Sequence, residues 1–263
     1  TVYALLGVAA ATVANRPGAH ELLNRMLEEQ KEQWADDYGL VWDQYDEAFT
    51  EPAPVHALGT LIHTIEAYMA AAEATTEPEW LDRAEKMTAF AYKVASKNNW
   101  RIPEYYDEEW QPSLEAGKLC NDGRRYHEGY VTGHSMQLAR FALQVRAGLR
   151  SMGWDVPDYL LEMGTELFER ARVDGWRRTG GAPGFSTGVN DQGDPVPGED
   201  EHQQWVVCEG VCAAVAVRRA MLDDGHRLDE VEHFEHCYRS FVDYIHDYLI
   251  TQPGRWIRRL GPN

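Results

Sequence analysis

Lysine is scarce in this chain: five of its 25 basic residues, against 20 arginines, and together they face 43 acidic side chains for a formal net charge of −18. A surface of that sign repels polyanions, which excludes general binding to nucleic acid or to an anionic membrane. Long apolar runs are lacking too. The stretch Thr1 to Ala14 is apolar, but it has no basic residues at its start, is shorter than the roughly 20 residues a bilayer needs, and stops at Asn15-Arg16-Pro17-Gly18. It reads as neither a signal peptide nor a span. Cysteine is limited to positions 120, 208, 212 and 237, without zinc spacing. Cys208 and Cys212 sit four apart in a helical run, as small core residues would, and all four read as reduced thiols of a cytoplasmic protein. There is no His-Glu-x-x-His, and the glycine-rich stretch 180–193 has neither the P-loop pattern nor a parallel strand ahead of it, so no phosphate cradle is expected.

Aromatics are plentiful, with nine Trp and thirteen Tyr among 263 residues that are 44% hydrophobic. That suffices for a large core and argues against disorder. The periodicity is helical almost throughout, so the expected class is all-α in a single domain over 1–263. Eight helices are expected at Val2–Ala14, Ala19–Asp36, Val55–Ala74, Glu77–Ser96, Gly133–Met152, Pro157–Gly175, Gln203–Asp223 and Leu228–Ile250. Thr76-Glu77-Pro78-Glu79 reads as a capping box with proline in the first turn.

Short and long connections alternate, which makes four αα-hairpins with their long loops at one end. Composition alternates with them. The odd helices are apolar on nearly all sides; the even ones are one-sided and charged, as in Glu28-Glu29-Gln30-Lys31-Glu32. An inner layer of odd helices covered by an outer layer of even ones is the expected packing, in a solenoid or a closed α/α toroid. The odd helices start too far apart, and too unevenly, for short helical repeats. Their long loops carry Trp42, Tyr45, Trp100, Tyr105, Tyr106, Trp110, Arg124, Arg125, Tyr126 and His127, a set suited to stacking on a sugar and bonding its hydroxyls. The segments from Arg177 and from Val189 read as a β-hairpin around Asp191–Gly193.

Polar residues inside the apolar helices mark the candidate site, since a buried charge is costly unless paired or functional. The third helix has His63 and Glu66, the fifth has His134 and Gln137, and the seventh has Trp205 and Glu209, each pair spaced by three or four on one face. Alone, each is most simply a satisfied core group; three such helices together favour a site. His127, His134, His63 and Glu66 are residue types that can ligate a metal, but their spacing matches no metal motif and no metal is expected.

These residues carry a resemblance. Tyr3-Ala-Leu-Leu-Gly-Val-Ala-Ala, Tyr45-Asp-Glu-Ala-Phe49, His63-Thr-Ile-Glu-Ala67, Glu104-Tyr-Tyr-Asp-Glu-Glu-Trp-Gln-Pro112, Gly133-His134, Trp205-Val-Val-Cys-Glu209 and Gly254-Arg-Trp-Ile257 occur in the order and spacing of one family. The chain resembles the N-acylglucosamine 2-epimerase superfamily, most closely its aldose–ketose isomerase branch. The resemblance implies an (α/α)6 barrel with a monosaccharide pocket at the long-loop mouth, no cofactor, and proton transfer between C1 and C2 through a cis-enediol, with mannose to fructose as the default reaction. Such a step needs a base near neutrality, which histidine supplies, and groups that stabilise the enediolate. By the resemblance His134 is one of a pair of acid–base histidines, with His63 and Glu209 beside it as catalytic residues, and Arg124, Trp205, Glu66 and Gln137 bind substrate.

The chain departs from the family in three places. Pro-Gly-His-x-x-Glu is Thr132-Gly-His-Ser-Met-Gln137 here, so an amide stands where the family has a carboxylate; the Asn that the family carries before the helix-3 His is missing, His63 following Thr60-Leu61-Ile62; and eight helices stand where twelve make the barrel. The expectation is a piece of a larger enzyme, lacking helices before Thr1 and a last helix with the second histidine, with apolar faces such as that of Tyr3–Ala14 open to water, self-associating, and nearly inactive alone. A 2-epimerase of N-acylglucosamine or a disaccharide is the nearest alternative. A glycoside hydrolase or lyase would need Glu66 and Glu209 as its carboxylate pair. A decayed homologue or helical scaffold is the non-enzyme alternative.

Overall fold

The computed structural model describes residues 2–119, 127–177 and 183–261. Its helices are α1 (Val2–Val13), α2 (Ala19–Glu29), α3 (Leu58–Thr75), α4 (Pro78–Lys97), α5 (Leu114–Leu119), α6 (Thr132–Ser151), α7 (Tyr159–Gly175), α8 (Gln204–Asp223) and α9 (Glu232–Tyr244). All eight expected helices are present, and the short α5 is an addition. α2 and α9 each run on into a π-helical turn, Gln30–Trp34 and Ile245–Leu249. α3 starts at Leu58 rather than Val55 because His56–Ala57 pair as a strand. Pro78 opens α4 as expected, but Thr76 does not cap it. Thr76 is in the left-handed region at the end of α3, and its hydroxyl donates to the Thr75 carbonyl.

By its contacts the chain divides into two compact units. One comprises Thr1–Ala91, Pro103–Tyr126 and Gly148–Trp154; the other comprises Tyr92–Ile102, His127–Ala147 and Asp155–Asn263. In the first, α1 packs on α3 and α2. In the second, α8 packs on α7 and α9. α9 buries a single stripe of Phe234, Cys237, Phe241 and Tyr244, and α2 buries Ala19, Leu23 and Leu27, as covering helices do. α3 buries half of its 18 residues. α1 buries only Leu5 and Ala9, while Tyr3 is 64% and Val13 54% exposed, in line with the expectation that this helix has an apolar face open to water.

The connections are built on one repeated device. Two-residue strands precede α3, α6 and α8: β1 (His56–Ala57), β3 (Tyr130–Val131) and β7 (His202–Gln203). Each pairs antiparallel with a strand beyond the following helix pair, β2 (Tyr105–Tyr106), β6 (Gly188–Val189) and β10 (Arg259–Leu260) respectively. The first residue of each helix then donates its N–H to the carbonyl just ahead of the partner strand: Leu58 to Glu104 at 2.8 Å, Thr132 to Thr187 at 3.0 Å, and Gln204 to Arg258 at 2.9 Å. These bonds satisfy amides that a helix start leaves without intrahelical partners. Two further pairs, β4 (Trp176–Arg177) with β5 (Gly184–Phe185) and β8 (Ile250–Gln252) with β9 (Arg255–Trp256), complete the strands among the described residues.

The loops also reuse one turn. Asp36, Asp46, Asp107 and Asn190 each accept backbone N–H bonds on their Oδ1 from residues two to five ahead, and each donates its own N–H across the turn, to Leu40, Glu51, Gln111 and Asp194. Three residues on, the chain is left-handed, at Gly39, Phe49, Trp110 and Gly193. The turn expected at Asp191–Gly193 is the fourth of these. Val189 bridges Pro195 antiparallel across it and Val196 donates its N–H to the Gly188 carbonyl at 3.1 Å, so the hairpin closes on itself. The segment from Arg177 takes no part in it and pairs as β4 with β5, while β6 also pairs with β3.

Candidate functional site

The polar residues of the apolar helices fall at one level of the repeat. Counting from the first residue of α3, α6 and α8, His63, Gln137 and Glu209 each occupy the sixth position. Glu66, Arg140 and Cys212 each occupy the ninth. Because three residues separate the two positions, each pair shares a helix face.

On α3, His63 Nδ1 lies 3.2 Å from Glu66 Oε2, and both side chains are half-buried. The Tyr3 ring of α1 tilts against His63 with centroids 4.7 Å apart. This pair brings together two of the expected site residues.

The second group lies on α6 and α8. Trp205 covers the first turn of α6, and a Cβ on Gly133 would come within 2.3 Å of its ring, so only glycine allows this approach. Trp205 is oriented from behind by its Nε1–H, which donates to Gln203 at 2.9 Å. The indole tilts against the imidazole of His134 with centroids 5.5 Å apart, and His134 is half-buried. Thr132, where the family has proline, uses the N–H that proline lacks to reach Thr187, and its hydroxyl donates to Ser186 at 2.7 Å.

Glu209 closes the group. Its Oε1 accepts from Gln137 Nε2 at 3.1 Å, and its Oε2 accepts from Arg140 Nε at 3.1 Å and Nη2 at 2.9 Å. Arg140 was not among the residues singled out from sequence. An arginine nine residues into a helix reads as a solvated side chain, and only its spacing of three from Gln137 signals the shared face. The two groups lie in different units. Arg124, with Arg125 and Tyr126, lies outside the described residues, so its expected place beside His134 is not described.

His127 lies with its Nδ1 2.8 Å from Glu199 Oε2. Among the described residues no group of three or more His, Cys, Asp and Glu side chains is arranged to hold a metal ion, and no helix is long and apolar enough to cross a membrane. The cysteines correct the reading of Cys208 and Cys212 as core residues: Cys208 is half-buried and Cys212 exposed, on the face that carries Glu209. Burial pushes both thiols above their ordinary pKa.

Two other histidines are structural. His56 is fully buried, stacked between Trp42 at 5.1 Å and Trp110 at 4.0 Å, and burial lowers its pKa. His202 is buried near Tyr244 beneath Gly184, and burial lowers its pKa while pushing the Tyr244 phenol up to about 12. A Cβ on Gly184 would lie 2.3 Å from His202 Nδ1 and 2.5 Å from the Tyr244 hydroxyl.

The comparisons agree with this architecture. A D-mannose isomerase of Thermobifida fusca is 31% identical over 99% of this chain and 61% of its own length, and one of Pseudomonas cannabina pv. alisalensis is 29% identical over 98% and 61%. The chain thus spans about three fifths of the curated relatives it matches. A crystal structure of a D-mannose isomerase superposes with a TM-score of 0.85 at 22% identity, covering all of this chain and 63% of that one. The cellobiose 2-epimerase of Spirochaeta thermophila follows at 0.73 and 17%, over 99% of this chain and 61% of its own. These likenesses show the fold class, that of the (α/α)6-barrel epimerases. The N-acylglucosamine 2-epimerase (GlcNAc 2-epimerase) family matches residues 1–263, and the chain belongs to that family.

Proposed function

We propose that this chain carries sugar-binding and proton-transferring residues of an aldose–ketose isomerase of the mannose–fructose type. The observation that supports it most directly is the α6–α8 group: a half-buried imidazole, His134, beside an indole, and on the same two helices a carboxylate held by an arginine. His134 takes the proton from C2 of the aldose and delivers it to C1 through the enediol, at the near-neutral acidity that histidine suits. Trp205 offers a face for the C–H side of the sugar. His63 with Glu66 makes an imidazole–carboxylate pair suited to hydroxyl binding or proton transfer, and Arg124 supplies charge to the sugar oxygens. Glu209 has both oxygens engaged, which suits a fixed charge better than the free carboxylic acid that a glycoside hydrolase would require. The 2-epimerase alternative uses the same C2 proton abstraction and differs in where the proton returns. The names of the relatives favour the isomerase.

The test joins binding to exchange. Mannose and fructose should raise the melting temperature, as ligands of the native state do. His134→Asn should keep that rise within a few-fold in apparent affinity while abolishing exchange of the C2 proton with deuterated solvent. Exchange that persists in the variant refutes the role of His134. A response to N-acetylglucosamine or cellobiose with none to mannose or fructose favours the epimerase.

A further inference from the structure

We propose that Arg140 and Gln137 are positioning residues that hold Glu209 fixed in direction, and that glutamine at 137 serves this arrangement by supplying a neutral donor to the carboxylate. The inference rests on the reading of the α6–α8 group as the reacting site, which it deepens. A carboxylate can only accept hydrogen bonds, so the atom of Gln137 that faces Glu209 at 3.1 Å must be the amide nitrogen. That settles which way the amide points. Its Oε1 is turned away from Glu209, buried and without a hydrogen-bond partner among the described residues, on a side chain only 8% exposed. The guanidinium takes the other carboxylate oxygen with two N–H groups, and its own plane lies over Phe141, 4.3 Å from the ring centre. Arg140 is therefore held on both sides, and through it so is Glu209.

The family's glutamate at 137 would change this balance. It would bring a second carboxylate to within about 3 Å of Glu209, where two anions would share one guanidinium and one of them would have to stay protonated. The ionisable groups against the pair are Arg140 on α6 and Cys208 and Cys212 on α8, and His134 lies three residues before Gln137 on the same helix face. Arg140 is the fixed cation among them. With an amide at 137, one carboxylate meets one guanidinium, and the amide supplies the donor that a second carboxylate could not. Glu209 is then held in one direction by both of its oxygens, and proton transfer is left to His134.

The experiment compares melting temperatures of the full chain and its variants between pH 5 and pH 8, with and without mannose. Gln137→Glu should melt near the parent at pH 5 and fall behind by about 3 °C or more at pH 8. A like charge raises the folded-state pKa of the new carboxyl above its unfolded value, so its cost appears as pH rises. Gln137→Met is the control, with a deficit that does not vary with pH. Arg140→Gln should deepen the pH-dependent deficit of Gln137→Glu. Arg140→Lys should restore melting to within about 2 °C of the parent. A lysine is a point charge without the planar fork, so this variant should lose at least half of the mannose-induced rise. The proposal is overturned if Gln137→Glu follows the parent across the pH range, or if Arg140→Lys keeps the full response to mannose. If the parent itself shows no response to mannose, the isomerase reading fails, and the pH dependence of melting decides the inference alone.

Discussion

At the residue scale, the site is set as much by absent atoms as by present ones. Gly133 has no Cβ, so Trp205 lies directly on the first turn of α6 and reaches the imidazole of His134. Thr132 keeps the N–H that proline would remove, and with it the bond to Thr187 that ties the helix start to β6. The cysteines follow from the same helical geometry. Cys212 lies three residues after Glu209 and is exposed, whereas Cys237 is buried with its thiol pushed up to about 11. Thiolate, not thiol, is the nucleophile, and access is required as well. Maleimide should therefore label Cys212 and leave Cys237 intact in the folded chain, slowly at pH 7 and faster at pH 8.5. If the face of Glu209 binds sugar, mannose should slow that labelling several-fold. Peptide mass mapping reads both outcomes, and modification of Cys237 ahead of Cys212 would contradict them.

At the scale of elements, one strand–helix–helix–strand unit and one turn recur, and the sequence shows them unequally. The helices were legible because apolar residues recur with the helical period over long stretches, as in the stripe Phe234, Cys237, Phe241 and Tyr244 of α9. His63, Glu66, His134, Gln137 and Glu209 were legible as polar residues out of place in apolar helices. The two-residue strands were not, because a pair such as Tyr105–Tyr106 is too short to show alternation and its register is fixed by distant partners. The repeated turn hid for another reason. Its left-handed position is glycine at Gly39 and Gly193 but Phe49 and Trp110 elsewhere, so no glycine marks it. A bulky residue there carries a conformational cost of about 1–3 kcal/mol, which tertiary packing must offset. Trp110 gains a stack on His56 and a 2.6 Å bond from its Nε1–H to Asp36. Phe49 is largely exposed against Trp34 and Tyr45. Accordingly, Phe49→Gly should change stability by less than about 1 kcal/mol, relief of strain offsetting lost contact. Trp110→Gly should cost about 3 kcal/mol or more, as deletion of a buried aromatic does. Urea denaturation of the two variants checks the contrast, and equal losses would show that the turn conformation rather than the ring contacts governs both.

At the scale of the whole molecule, charge and apolar surface pull in opposite directions. The formal charge of −18 repels one copy of the chain from another. Against it stands α1, in which Val2 to Val13 contain no charged side chain and Tyr3 and Val13 are mostly exposed. A helix normally turns such a face to a partner, and apolar surface open to water drives association once repulsion is weak enough. Salt sets that balance, because the screening length falls from about 30 Å at 0.01 M to about 8 Å at 0.15 M. The 263-residue chain should thus sediment as a smaller species at 0.01 M salt and as a larger one at 0.3 M, at fixed protein concentration. Tyr3→Glu with Val13→Glu should suppress the salt-induced species without lowering the melting temperature by more than a few degrees, since neither side chain is in the core. A chain that stays monomeric at 0.3 M, or a double variant that associates as the parent does, would remove α1 from any role in self-association.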